Sequence, residues 1–203
     1  MENKEKKNDE IKLIVVGDSG VGKTNLINSS INIAFNPNSN STVTGTFVSK
    51  QFIINDKKYN INLWDTAGQE QYRSITKLFF KGAEIVILVY DISKSQTFVS
   101  LDKWYSICEE QIGNQVIYGV VGNKSDLYIQ EDVSEEDAKK FAEQIQAKFA
   151  LVSAQNDSKR FVEFIRELII EYIHLNHLEP RHSFTLENKS KKLNKREEKG
   201  CGC

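Results

Sequence analysis

Cysteine is scarce: three occur in 203 residues, Cys108 within a helical pattern and Cys201 and Cys203 at the end, which is no disulfide framework. Cys108 reads as a small apolar residue of the interior. Long apolar runs are missing as well. The longest, such as Ile85 to Tyr90, have strand length and fall far short of the roughly 18 residues a membrane span needs. Charge of one sign is not in excess: 27 basic residues face 28 acidic ones, so no global field favours nucleic acid, and no nucleic-acid partner is expected. Residues 1–10 are charged and lack the apolar stretch of a secretory leader, so synthesis is expected to end in the cytosol. Asn-x-Ser/Thr triplets such as Asn28-Ser29-Ser30 are therefore set aside as glycosylation sites.

What is present suits one α/β domain over residues 11–177, between a flexible segment 1–10 and a polar, Lys-rich, disordered tail 178–203. Ile11 to Val16 reads as a strand and Lys23 to Ser30 as the start of a helix. The polar segment that follows, as far as Thr46, reads as a mobile loop. Phe47 to Ile54 and Tyr59 to Trp64 read as a hairpin around Asn55-Asp56-Lys57-Lys58. Ile85 to Tyr90 and Val116 to Val121 are unbroken apolar runs fit for strands buried on both faces, with Ser95 to Ile112 helical between them. Ser134-x-x-Asp137 has capping-box spacing before a helix through Phe141 and Ile145, and Phe149 to Val152 reads as the last strand. Phe161, Phe164, Ile165, Leu168, Ile169, Tyr172 and Ile173 recur at helical spacing, an apolar stripe for covering a sheet. This alternation predicts an α/β fold: a doubly wound, mostly parallel six-stranded sheet, one edge strand antiparallel, helices on both faces, and ligands at the carboxyl ends of the strands.

Three segments sit at such ends. Gly17-Asp18-Ser19-Gly20-Val21-Gly22-Lys23-Thr24 completes G-x-x-x-x-G-K-[ST], in which glycines let backbone N–H groups close on phosphates, lysine neutralises the terminal ones and threonine can ligate magnesium. Asp65-Thr66-Ala67-Gly68-Gln69 supplies a carboxylate, Asp65, for Mg2+ and a glycine, Gly68, whose N–H can reach a γ-phosphate. Asn123-Lys124-Ser125-Asp126 supplies Asp126, which can accept both N–H donors on one edge of guanine; adenine offers no such pair. Taken alone, this last segment also fits an ordinary loop.

Together the segments resemble the small Ras-like GTPases, and within them the Rab family, from about Ile11 to the end of the chain. Tyr72-Arg73-Ser74-Ile75-Thr76, Phe79-Phe80-Lys81-Gly82-Ala83 and Leu88-Val89-Tyr90-Asp91-Ile92-Ser93 carry the Rab resemblance. It implies a phosphate-loop NTPase of the Ras-like G-domain type that binds GTP and GDP with Mg2+ and hydrolyses GTP slowly. Asp18, Ser19, Gly20, Val21, Gly22, Lys23, Thr24 and Asn25 would then line the phosphates, with Thr24, Thr42 and Asp65 on the metal. Gln69 would orient the attacking water and Phe35 would pack on guanine. Asn123, Lys124 and Asp126, with Ser153, Ala154 and Gln155, would complete the base site. Gln155 stands where the family has lysine, so faster nucleotide release is expected. Thr42-Val43-Thr44-Gly45-Thr46-Phe47 also departs from the family pattern, so effector choice does not transfer. The resemblance further implies a monomer working with an exchange factor, a GTPase-activating protein, a GDP-dissociation inhibitor, effectors, and a prenyltransferase with its escort protein.

The terminal Lys199-Gly200-Cys201-Gly202-Cys203 resembles the Rab-type signal for prenylation of Cys201 and Cys203, and is not a C-a-a-X box. Two lipid chains anchor stably, and the tail lysines add attraction to anionic lipid. The expected location is the cytoplasmic face of intracellular membranes, with a cytosolic pool, and the expected role is in vesicle traffic. Rival readings are a nucleotide-holding module with little hydrolysis, another phosphate-loop ATPase or kinase, and, for the tail, a solvated charge run ending in incidental thiols or a metal clip. His174 and His177 near Glu171 read as surface residues suited to a helix C-terminus rather than as a metal face.

Overall fold

The computed structural model describes residues 10–37, 46–66, 79–113 and 116–178. Along the chain run β1 (Glu10–Val16), α1 (Lys23–Ser30), β2 (Thr46–Ile54), β3 (Lys57–Asp65), β4 (Ile85–Asp91), α2 (Ser95–Val99) and α3 (Leu101–Ile112). Then come β5 (Ile117–Asn123), a 3-10 turn (Ser125–Gln130), α4 (Glu135–Gln144), β6 (Lys148–Leu151) and α5 (Ser158–Leu178). The described strands form one six-stranded sheet in the order β2-β3-β1-β4-β5-β6, parallel except for β2, as the apolar runs predict. Strand order reverses at β1, which places the end of that strand at the switch point where open α/β sheets bind ligands.

Two-residue periodicity sends neighbouring side chains to opposite faces, and both faces are covered. Leu13, Val15, Ile85, Ile87 and Val89 pack with Leu26 and Ile27 of α1 and with Phe161, Phe164, Ile165, Leu168 and Ile169 of α5. Ile14, Val16, Val86, Leu88 and Tyr90 pack with Leu101, Trp104 and Cys108 of α3 and with Ala138, Phe141 and Ala142 of α4. Full burial of a large apolar side chain is worth about 1.5–3 kcal/mol, more than the spread of helix propensities per residue, so it is the buried stripe that holds α5. At its far end Tyr172 donates to Glu84, which precedes β4 and whose other oxygen accepts from the Lys12 amide.

The hairpin turn is tighter than its sequence suggests. Asn55 and Asp56 alone form it, with φ of 49° and 61°, while Lys57 and Lys58 pair with Ile54 and Ile53 as part of β3. Positive φ at both central positions is the two-residue turn whose twist matches the flanking strands, and Asn and Asp tolerate it. The helical stretch from Ser95 is divided at Ser100, which keeps helical angles. Ser134 caps α4 as its spacing predicts, accepting from the Asp137 amide at 3.1 Å. Other boundaries differ from expectation by one or two residues, and residues 38–45 of the expected mobile loop lie outside the described residues.

Tyr90 is fully buried, and its hydroxyl has no hydrogen-bond partner among the described residues. A buried hydroxyl with no partner costs about 1–3 kcal/mol. Tyr90→Phe removes that cost and keeps the ring, which packs edge-on to Phe98 with centroids 5.1 Å apart. Urea unfolding is therefore expected to show Tyr90→Phe more stable than wild type by about 1 kcal/mol, the low end of that range; a clear loss of stability would mean the hydroxyl is satisfied.

Candidate functional site

The loop after β1 is shaped by backbone that only glycine can supply at two points. Gly17 has φ 143°, and a Cβ there would stand 2.2 Å from the Val89 carbonyl oxygen. Gly22 has φ 97°, and a Cβ there would stand 2.3 Å from Nδ2 of Asn123. The loop is thus pressed against β4 at one end and against the end of β5 at the other. Gly22 is the N-cap of α1 and offers no side-chain cap, and the first turn has no acidic residue, so α1 supplies nothing of its own to offset the positive end that faces the loop.

Lys23 is drawn into this loop. Its Nζ donates to the carbonyls of Gly17 at 2.7 Å and Asp18 at 2.8 Å, and the residue is 5% exposed. Burial holds its pKa down to about 8 from 10.5, against Asp65 and Asp18, which favour its charge. Beside it Thr24 donates to Asp65 at 2.7 Å, joining the start of α1 to the end of β3. Asp65 is buried. A hydroxyl and one buried carboxylate suit Mg2+, which keeps few protein ligands and fills its octahedron with phosphate oxygens and water.

Across the sheet, Asn123 is 1% exposed and donates to the Val21 carbonyl at 2.7 Å, while its Oδ1 accepts from the Ala154 amide at 3.2 Å. The Ala154 amide, in the segment expected to complete the base site, is engaged by Asn123. Asp126 accepts from the Ser153 hydroxyl at 2.5 Å, which turns its carboxylate toward the segment after β6. Lys124, with φ 65°, pairs with buried Asp91 at 2.6 Å. Burial pushes the Asp91 carboxyl up, but hydrogen bonds from Lys124 and Ser93 outweigh it and hold the group below its usual range.

The structure therefore brings residues 17–25, Asp65, Asn123, Lys124, Asp126, Ser153 and Ala154 to the carboxyl ends of the strands, with Gln155 exposed next to them. Three side chains differ from their expected direction. Asn25 donates to the Asn36 carbonyl at 3.1 Å, so it braces the segment after α1. Asp18 accepts from the Trp104 indole at 2.8 Å. Phe35 is half-buried against the α1–α5 core. Sequence reasoning assigned no role to Asp91 or Trp104; the signal for Asp91 was a carboxylate at the end of an apolar strand. Thr42, Gly68, Gln69, Cys201 and Cys203 lie outside the described residues. Among the described residues no group of three His, Cys, Asp or Glu side chains could hold a metal, and His174 is exposed.

The buried lysine gives a pH signature. In nucleotide-free protein the fold releases the Lys23 proton near pH 8, while the unfolded chain keeps it to about 10.5. The unfolded state binds more protons in that window, so stability rises with pH across it, by about 3 kcal/mol at 1.36 kcal/mol per pKa unit. Urea unfolding between about pH 8 and about pH 10 is expected to show this rise in wild type beyond that in Lys23→Met, and parallel profiles would refute it.

Comparison with known proteins bears on the same segments. Residues 12–173 match the Ras family. The chain is 42% identical over 144 residues to Ras-related protein Rab-2B of Dictyostelium discoideum, covering 71% of each chain. It is 38% identical over 160 residues to Rab11B of Nicotiana tabacum, covering 77% of this chain and 74% of that one. Against human Rab-22A it is 33% identical over 162 residues, covering 78% and 84%. The family match runs through every strand end described above, so the chain belongs to the Ras family, in its Rab branch, and is a small GTPase.

Proposed function

We propose that this GTPase is a GTP/GDP switch in intracellular vesicle traffic, anchored to the cytoplasmic face of a membrane through lipid on Cys201 and Cys203. One observation carries the nucleotide part: the uncapped start of α1, buried Lys23, the Thr24–Asp65 pair and Asp126 converge at the ends of β1, β3 and β5. Relatives named as Rab proteins support the trafficking part. No helix among the described residues is long and apolar enough to cross a membrane, which fits attachment by lipid.

The residues divide the work by charge. Backbone N–H groups of the glycine loop and the positive end of α1 receive the phosphates. Lys23 exchanges its carbonyl partners for phosphate oxygens, and the anion restores the charge that burial suppresses. Thr24 and Asp65, with Thr42, would hold Mg2+, which supplies neutralisation of the terminal phosphate charge. Asp126 accepts the guanine N–H pair while Ser153 fixes its plane. Gln69 orients water, and hydrolysis is a matter of positioning and charge stabilisation, slow until a partner adds an arginine. Release of the phosphate contacts at Thr42 and Gly68 then alters the surface that exchange factors, activating proteins and effectors meet. Phe47, exposed and stacked on Trp64 at 5.1 Å, offers an aromatic surface at the start of β2 for such partners.

Two measurements test the proposal. In nucleotide competition, wild type is expected to prefer GTP over ATP by several orders of magnitude and Asp126→Asn to lose most of that preference, since a buried site built for N–H donors rejects a ligand lacking them by about 10⁴-fold or more. Equal binding of ATP, or an intact preference in Asp126→Asn, refutes the base assignment. Mass spectrometry of the C-terminal peptide from eukaryotic cells is expected to show two added isoprenoid chains; an unmodified mass sinks the anchor.

A further inference from the structure

A loop that binds phosphate through N–H groups and a lysine carries an acid, Asp18, in its second position. A carboxylate there has the wrong charge: turned inward, it competes with phosphate for Lys23. The structure shows what turns it outward. Trp104 of α3 donates its indole N–H to Asp18 Oδ1 at 2.8 Å, a contact between residues 86 apart in sequence. Indole has one donor and no acceptor, so the bond has one direction, and an ionised acceptor makes it short and strong. Trp104 is 4% exposed, clamped in the α3–α4 core with Leu101 and Cys108, so its ring is a fixed post. The Asp18 carbonyl meanwhile accepts from Lys23 at 2.8 Å. One residue thus presents its main chain to the lysine and its charge to the helix behind.

We propose that Trp104 is a positioning residue for nucleotide retention: by holding the Asp18 carboxylate against α3, it keeps that carboxylate out of direct contact with Lys23 and with the phosphates. The inference rests on the nucleotide reading above and adds to it a contact from the opposite core. Without the indole donor, the half-exposed carboxylate is left beside a buried ammonium with only water to compete for it. Rotation toward Lys23 then closes the anion site. The effect appears as faster loss of nucleotide, while loss of packing appears as lower stability.

The test is GDP dissociation from the full chain, measured for wild type, Trp104→Phe, Asp18→Ala and the double variant, with urea unfolding of each. Trp104→Phe keeps an aromatic ring and removes the donor. It is expected to release GDP about tenfold faster, the scale of a charge-assisted hydrogen bond partly compensated by water. In the Asp18→Ala background the same change is expected to leave the release rate within about twofold, because no carboxylate remains to be misdirected. Unchanged release in Trp104→Phe overturns the proposal. An equal acceleration in both backgrounds overturns it as well, by showing a packing defect. Wild-type protein that retains no GDP overturns the nucleotide reading and this inference with it, whereas retention with either of the other failures leaves that reading intact.

Discussion

The Asn123 side chain ties together the parts that make the site. Fully buried, it donates to the glycine loop at Val21 and accepts from Ala154 after β6, joining segments more than a hundred residues apart at their extremes. It can lie there only because residue 22 has no Cβ. A neutral amide suits the position: with a donor and an acceptor on one planar group, it satisfies two buried backbone groups without bringing in charge. Displacing it would leave the Val21 carbonyl and the Ala154 amide without their partner and separate the phosphate side of the site from the base side.

Around this neutral tie, the charged side chains of the site among the described residues have partners. Lys23 rests on two carbonyls, Lys124 on Asp91, Asp126 on Ser153, Asp65 on Thr24 and Asp18 on Trp104. These pairings set where charge is available before any ligand arrives. They also differ in kind. Asp91 and Lys124 are a buried or half-buried ion pair that positions the loop after β5, whereas Lys23 is a cation kept costly by burial, which an anion relieves.

Much of this was legible in the sequence because it is local. The apolar runs of β4 and β5 predict doubly covered strands, and the glycine loop, Asp65 and Asn123-Lys124-Ser125-Asp126 fall at strand ends as alternation requires. Even the cap of α4 was written in Ser134 and Asp137. The hairpin turn was read too long because Lys57 and Lys58 look like turn residues, although register with Ile54 and Ile53 makes them strand. What stayed hidden is non-local: Trp104 with Asp18, Lys124 with Asp91 and Asn25 with Asn36 have no shared motif, and only packing brings them together. The amide of Ala154 shows the same limit, since its partner Asn123 lies 31 residues away.

The helix α5 gives the domain a polarity. It begins just past Ser153 at the nucleotide end and runs about 30 Å at 1.5 Å per residue. Near its far end Tyr172 is fastened to Glu84, before the first residue of β4, at the opposite edge of the strands. The chain therefore leaves the domain from the pole farthest from the phosphate loop. A tether attached beyond that helix would turn the phosphate loop and the ends of β1, β3 and β5 outward. Partners could then reach the nucleotide side from solution while the domain stays held from below.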